Sequence, residues 1–358
     1  MIYFIDTLKK AFDEQGKYSA ISKPRKDVLK IFQTLNGSKI IYLVDYISYK
    51  KPTLFKRFVS LFYKIQIWFC AIIKCCRIKD SIVFFQYPFI SEVMFFVLRW
   101  LKKRNKVVVL VHDIETIRHN KKVQADYNLL EYADYLIVHT PEMADAIKEM
   151  GYQGKIVTLE FFDYLVADNI SKRIISSPFR VVFAGNLEKS NFLKDISKIK
   201  VDDEFSFYFY GKGAKYVNIF DKNFVYKGFF EADYISSIEG NWGLVWDGTS
   251  INTCDGELGR YLRINAPFKM SLYIASNMPV IVWSHSAMAQ YVKKYNLGIV
   301  VDSLLEIRDR LNSLSSDDLE KITESVEHYS EILRTGKKTR TVFLQVLKGQ
   351  VLNRSAKI

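Results

Sequence analysis

Residues 265–282 run NAPFKMSLYIASNMPVIV, and this stretch decides how the rest of the 358-residue chain is read. Pro267 cannot continue a helix, but it suits a first turn, where its fixed φ is already helical and its missing N–H costs nothing. Lys269 follows, and residues 270–275 form a mostly apolar helix. Asn277 suits the left-handed conformation that stops a helix. Pro279 restarts the chain, and Val280, Ile281, Val282 and Trp283 make the short apolar run of a buried strand. Lys269 is thereby placed at a helix N-terminus. There the free N–H groups, the helix dipole and an ammonium all favour an anion. The same spacing also fits an ordinary αβ turn with a surface lysine.

Outward from this stretch, strands and helices alternate. In the N-terminal half, strands are expected at 2–5, 39–44, 82–85, 106–111, 135–138 and 156–159. Helices are expected from Pro24 to Leu35 and at 52–77, 89–103, 123–132 and 141–150. Thr140 and Pro141 make an N-cap and N1 pair for the last of these. Residues 161–178 lose periodicity, end in Ser176-Ser177-Pro178 and read as a linker. The second half restarts the rhythm, with strands at 180–184, 205–210, 224–227, 244–246, 280–283 and 298–301. It has a short helix at 234–238, a small-residue loop at 249–263 and helices at 304–314 and 317–333. Gly336-Lys337-Lys338 then breaks the chain before a last helix at 341–352. Such alternation gives doubly wound parallel sheets, with ligands at the C-terminal ends of the strands. The expected organisation is an α/β protein of two Rossmann-like domains, 1–168 and 178–336, facing each other across a cleft. Residues 337–358 would return to the first domain.

The length suits two cores, and 49% hydrophobic residues can fill them. The net charge of +13 calls for an anionic partner. Residues 54–76 are too often interrupted by Lys56, Arg57, Lys64 and Lys74 to span a bilayer, and instead suggest a basic amphipathic helix. That helix would be either part of the fold or a peripheral contact with an anionic membrane. The N-terminus lacks a secretory signal pattern, so a cytoplasmic location is expected, at most peripheral on the inner face of the plasma membrane. The four cysteines and five histidines lack metal-ligand spacing.

Four segments, taken in order, carry a resemblance: Val111-His112-Asp113-Ile114-Glu115, Gly185-Asn186-Leu187, Gly243 through Gly248, and Pro267 through Trp283. Together they resemble the bacterial GT-B glycosyltransferases, and more closely the adhesin-type glucosyltransferases and β-1,6-galactofuranosyltransferases. The resemblance spans about residues 80–310. It implies a donor diphosphate held by Lys189 and Lys269, with UDP-sugar as a substrate and no cofactor or metal. Many GT-B enzymes have a ribose-binding glutamate three residues after the lysine; Leu272 stands there, so the ribose would be held elsewhere. They also have glycine where this chain has Asn277. The glycine- and polar-rich loop usual after the first strand is not recognisable here.

The chemistry needs few parts. Expelling a diphosphate requires positive charge where negative charge develops. The expected donor side comprises Gly185, Asn186, Lys189, Tyr210, Gly211, Tyr226, Asp247, Asn265, Pro267 and Lys269. Tyr210 and Gly211 end a strand where backbone N–H groups can approach a ligand. Tyr226 would flank the base, and Asp247, Asp255 and Glu257 could take sugar hydroxyls. An inverting transfer needs a base for the acceptor hydroxyl. His112 and Asp113 end the strongest N-terminal strand and are its candidates, although such a pair can also merely cap a helix. The expected activity is metal-independent transfer of glucose or galactofuranose from a UDP-sugar to a carbohydrate or glycoprotein acceptor in cell-surface glycan synthesis. A homo-oligomer is compatible with it. Two other readings stay open: a catalytically silent GT-B scaffold subunit, and a basic nucleic-acid binder. The latter shows no reader motif, so no nucleic-acid partner is expected.

Overall fold

A computed structural model describes residues 1–10, 23–46, 65–66, 68–89, 93–213 and 222–355. More than half of the helix expected at 52–77 (residues 52–64 and 67) and residues 90–92 of the helix after it lie outside the described residues.

Two parallel six-stranded sheets organise the chain. The first comprises β1 (Ile2–Lys10), β2 (Ser38–Tyr46), β3 (Ile82–Tyr87), β4 (Lys106–Val111), β5 (Tyr135–Val138) and β6 (Lys155–Thr158), in the order β2-β1-β3-β4-β5-β6. The second comprises β7 (Phe179–Ala184), β8 (Phe205–Tyr210), β9 (Phe224–Gly228), β10 (Trp242–Val245), β11 (Val280–Trp283) and β12 (Gly298–Val301), in the order β12-β11-β10-β7-β8-β9. Both therefore reverse direction beside their first strand, between β1 and β3 and between β7 and β10. A crevice opens at such a switch point, because the flanking connections leave on opposite faces. The central strands are apolar along their length; β3 is buried throughout and β4 is buried from Val107 onward. This is the pattern of a sheet covered on both faces.

Besides helical residues at 65–66 and 68–75, the α-helices are α1 (Lys23–Gln33), α2 (Val93–Lys102), α3 (Glu115–His119), α4 (Gln124–Tyr132), α5 (Pro141–Glu149), α6 (Gly256–Tyr261), α7 (Phe268–Ala275), α8 (Met288–Tyr295), α9 (Ile307–Asn312), α10 (Ser316–Arg334) and α11 (Lys337–Ser355). Thr140 caps α5, accepting the Met143 N–H at 3.1 Å. Asn277 ends the turn after α7 with φ 56°, the left-handed value its short polar side chain tolerates.

Two expectations need correction. Residues 249–263 are not all loop, for they contain α6; Gly256 and Gly259 weaken helix propensity, but the segment is held from outside by Tyr261. Residues 337–338 do not break the chain, because α11 begins at Lys337 directly after the turn at Gly336. Asp163 makes that start workable by accepting the Lys338 and Thr339 N–H groups at 3.3 and 2.6 Å. Residues 161–178 run between β6 and β7, and their first part is packed into the protein. Phe161, Phe162, Asp163 and Tyr164 are buried, and Tyr164 donates a hydrogen bond to the Ala232 carbonyl at 2.9 Å. Beside Tyr164 the buried Lys23 ammonium binds Asp27 at 2.7 Å and Asp233 at 2.9 Å, a charge cluster shared by both halves of the chain. α11 lies against the first sheet, where Phe343 meets Phe32 and Phe84 with ring centroids 5.7 and 5.2 Å apart.

Candidate active site between the two sheets

At the switch point of the second sheet, β7 ends at Ala184-Gly185 and β10 at Val245, followed by Trp246 and Asp247. α7 points its first turn at the same place. The Tyr273 hydroxyl, further along α7, accepts the Ala184 N–H at 2.8 Å and so ties the helix to the end of β7. From that first turn the Lys269 ammonium reaches Asp247 Oδ2 at 3.1 Å, Oδ1 at 3.2 Å and the Trp246 carbonyl at 3.3 Å. It also lies 4.4 Å from the centroid of the Phe183 ring. Its stem crosses Gly185, where a side-chain Cβ would stand 3.4 Å from Lys269 Cε. Opposite, Gly211 has φ 127°, and a Cβ there would meet the Gly185 carbonyl oxygen at 1.8 Å. Only glycine lets the two strand ends approach this closely. Lys269, Asp247, Gly185 and Gly211 are thus brought together at one point, half-buried and charged.

The other expected donor residues sit around this point in different ways. Tyr226 donates its hydroxyl to the Gly211 carbonyl at 3.0 Å while its ring stays exposed. Asn186 is exposed and its side-chain oxygen accepts the Glu188 N–H at 3.1 Å, shaping the turn after β7. Lys189, in that turn, is exposed and has no ion-pair partner among the described residues. Tyr210 is a structural residue: its ring is buried and its hydroxyl accepts the Glu239 N–H at 2.9 Å. Pro267 is the N-cap of α7 in extended conformation. The buried Oδ1 of Asn265, just before it, has no hydrogen-bond partner among the described residues. Leu272 is buried and apolar, so it cannot take over the polar role of a glutamate. Asp255 precedes α6 as its N-cap without a side-chain cap bond, and Glu257 is turned toward the first sheet.

The N-terminal wall is built from the end of β4. His112 stacks on Phe162 at 4.9 Å, and its Nε2 is 2.8 Å from Gln86 Oε1. Burial, with Arg25 and His139 adding repulsion, holds its pKa well below the ordinary histidine value, so the ring is neutral near pH 7. Asp113 is pushed the other way: burial raises its pKa, while Arg118, 3.5 Å away, and a hydrogen bond from Tyr261 lower it. A carboxylate raised toward neutrality is a stronger base than an ordinary one, whereas the depressed His112 is a weaker one. By the direction of these two shifts, Asp113 is the stronger candidate of the pair for removing a proton.

The contacts that set this wall come largely from the other half of the chain, and sequence reasoning missed them. Tyr261, on α6, accepts the Ile114 N–H at 3.1 Å besides bonding Asp113. His119 on α3 stands between Glu115 at 2.7 Å and Glu257 of α6 at 3.0 Å. His139 Nδ1 accepts the Ala266 N–H at 3.1 Å, Thr140 donates to the Ile264 carbonyl at 2.5 Å, and Ser271 donates to the Phe162 carbonyl at 2.7 Å. These bonds moor the start of α7 against the first sheet. Among the described residues no group of three or more His, Cys, Asp and Glu side chains converges as metal ligands would.

Two Rossmann-like sheets, each with its own switch point, make up the GT-B fold of glycosyltransferases. Within it the chain belongs to the glucosyltransferase 3-like family: the family's N-terminal domain model matches residues 3–161 and its C-terminal domain model residues 181–346. The β-1,6-galactofuranosyltransferase WbbI of Escherichia coli K12 is 30% identical over 281 residues, covering 76% of this chain and 81% of that protein. Glucosyltransferase 3 of Streptococcus gordonii is 24% identical over 248 residues, covering 68% and 71%. Among solved structures, Anabaena Alr3699/HepE, determined with UDP and glucose, superposes with a TM-score of 0.60 at 12% identity, covering 97% of this chain and 99% of that one. Sucrose-phosphate synthase of Thermosynechococcus elongatus gives 0.61 at 11%, covering 98% and 99%. At such identities the two structures speak for the GT-B fold alone.

Proposed function

We propose that the protein transfers a hexose, glucose or galactofuranose, from a UDP-sugar to a carbohydrate or glycoprotein acceptor in cell-surface glycan synthesis, with inversion at the anomeric carbon. Residues 178–336 form the nucleotide-sugar domain and residues 1–168 the acceptor domain. The observation that carries this reading is the Lys269 ammonium at the switch point, bound to Asp247 and lying against Gly185.

The incoming diphosphate exchanges places with the Asp247 carboxylate on Lys269, and Asp247 is left free to take a hydroxyl of the transferred sugar. Lys189 adds a second cation from the turn after β7, and Tyr226 lies where the base would stack. Asp113 accepts the proton of the acceptor hydroxyl. The acceptor oxygen attacks the anomeric carbon, the bond to the β-phosphate oxygen breaks, and its electrons stay on the departing UDP. Lys269 stabilises that growing charge, so its contribution is larger in the transition state than in the ground state. The work is done beside an anionic membrane face. A donor panel of UDP-glucose, UDP-galactose, UDP-galactofuranose and UDP-N-acetylglucosamine, scored by calorimetry and by UDP release with acceptor, tests the proposal. Binding without release under any acceptor would favour the scaffold reading, which the buried Leu272 supports.

A further inference from the structure

Beside the first sheet lies a surface whose residues have no part in the glycosyl-transfer chemistry proposed above. Residues 65–66 and 68–75 are helical. At 100° per residue, Ile65, Phe69, Ile72 and Ile73 fall within an arc of about 100° on one side of this helix. They are 61%, 64%, 40% and 56% exposed. The adjoining side carries Ala71 and Cys75, which are buried in the core, so the fold uses only part of the helix's apolar surface. Phe96 of α2 extends the exposed patch, and Trp68 packs on it at 4.4 Å. A contiguous face of large apolar side chains is costly in water and marks a contact with something else.

The charges around the patch say what that contact is. Among the described residues, 65–79 hold Lys74, Arg77 and Lys79 and no aspartate or glutamate, and residues 93–106 hold five more cations with no carboxylate, of which Lys102 and Lys106 are paired with Asp134. Arg77 and Lys79 follow the helix, and Arg99, Lys103 and Arg104 follow Phe96; all five are exposed. A second copy of the chain would bring these like charges face to face. A lipid leaflet with anionic headgroups satisfies both parts at once: the acyl boundary takes the phenylalanine and isoleucine side chains, and the headgroups take the cations. We infer that the face formed by Ile65, Phe69, Ile72, Ile73 and Phe96 inserts into the surface of an anionic bilayer. The protein is then held by buried apolar side chains as well as by charge. This rests on the reading that glycan synthesis takes place beside a membrane, and it places the acceptor-side sheet next to the lipid.

The full chain is tested by co-sedimentation with phosphatidylcholine vesicles, with and without phosphatidylglycerol, at low and high salt. Binding should need the anionic lipid, and Arg77→Glu with Lys103→Glu should weaken it, each lost cation costing about fivefold. The double variant Phe69→Ser, Ile73→Ser should weaken binding by roughly ten- to a hundredfold, since each side chain would lose its apolar burial. Vesicles with brominated acyl chains should quench the tryptophan fluorescence of the parent and not of that variant. Both residues are exposed, so melting temperature and UDP affinity should be those of the parent. Unchanged vesicle binding in the double variant would overturn insertion. So would equal binding to both vesicle types, or a dimer, seen in sedimentation, that the substitutions dissolve. Failure of the donor-site reading would instead appear as unchanged UDP affinity in Lys269→Ala, whatever the vesicles do.

Discussion

On the C-terminal wall of the cleft, Lys269 finds its counter-charge in Asp247, 22 residues before it, and both belong to the single connection between β10 and β11. On the N-terminal wall, Asp113 is held by Tyr261, and the adjacent Ile114 N–H meets the same hydroxyl across 147 residues of sequence. The first wall is a local device: a strand end, a glycine approach and a helix start assembled inside a single Rossmann-like unit. The second is completed only when the two halves of the chain meet. Substitutions on the first should therefore alter donor affinity directly. On the second they should leave the donor alone and act on the proton and on the fit of the halves.

The sharpest way to break this contrast is Asp113→Asn. A general base contributes about 10²- to 10⁴-fold. The variant should lose turnover by that order while its UDP affinity, measured by calorimetry, stays within about twofold, since the base touches the acceptor and not the nucleotide. His112→Ala should lose less, because burial keeps the imidazole neutral and weakly basic. If His112→Ala loses as much as Asp113→Asn, the imidazole is the base and the carboxylate orients it. Full turnover in both variants would make the end of β4 purely structural.

Lys269→Ala should give the next largest effect, and of the opposite kind. Charge-assisted hydrogen bonds to a diphosphate are worth about 1.5–3 kcal/mol each. UDP affinity should fall roughly ten- to a hundredfold, with a further loss in turnover as the leaving-group charge grows. Lys269→Arg should recover part of the binding, keeping the charge but not the compact geometry. Because Asp247 occupies the ammonium in the present state, Asp247→Asn should tighten UDP itself while slowing sugar transfer. A folded Lys269→Ala protein with parental UDP affinity would remove the basis of the donor assignment.

These two expectations differ in how far the sequence alone reaches them. Residues 265–282 carry short-range signals throughout: proline at the helix start, asparagine at its stop, and an unbroken β-branched run in the strand. Neighbours within a few residues set all three, and the elements follow. The end of β4 was likewise placed by its apolar run. What surrounds it was not legible, because Tyr261 sits in a stretch whose glycines argue for loop, and its helix exists through contacts with the other half. Lys23 and Asp163 are of the same kind, ordinary charged residues in sequence that the meeting of the halves buries. Tyr210 erred the other way: its strand end was placed, but alternation turns the ring into the core rather than the crevice.

Tyr261→Phe sharpens the comparison at smaller scale. It removes the hydroxyl that bonds Asp113 and leaves the Ile114 N–H without its acceptor. Stability should fall by about 1–2 kcal/mol. Tyr261 lowers the Asp113 pKa, so without it the acid limb of the pH–rate profile should move to higher pH. UDP affinity should not change. A profile that stays in place while stability falls would reduce Tyr261 to a packing residue.

The smallest effect concerns how the joined halves respond to acid, because two buried groups oppose each other. Burial lowers His139 to about 4 from an ordinary value of 6.5, so the unfolded chain binds that proton more readily. Its contribution to stability is present above pH 6.5 and is lost as pH falls toward 4. Asp163 moves the other way, raised by burial to about 6 from 3.8, so the folded chain binds its proton more readily. Its contribution is full below pH 3.8 and is lost as pH rises through 6. Each is worth at most about 3 kcal/mol, and across pH 4–6 they largely offset. Asp163→Asn removes one side only. It keeps a side-chain acceptor for the start of α11, so the chain should still fold. Urea midpoints taken from pH 7 to 4 should then fall more steeply than in the parent, whereas His139→Gln should flatten the curve. Parallel curves for parent and Asp163→Asn would mean that the carboxylate is already ionised throughout, held by the two N–H groups of α11 strongly enough to overcome its burial.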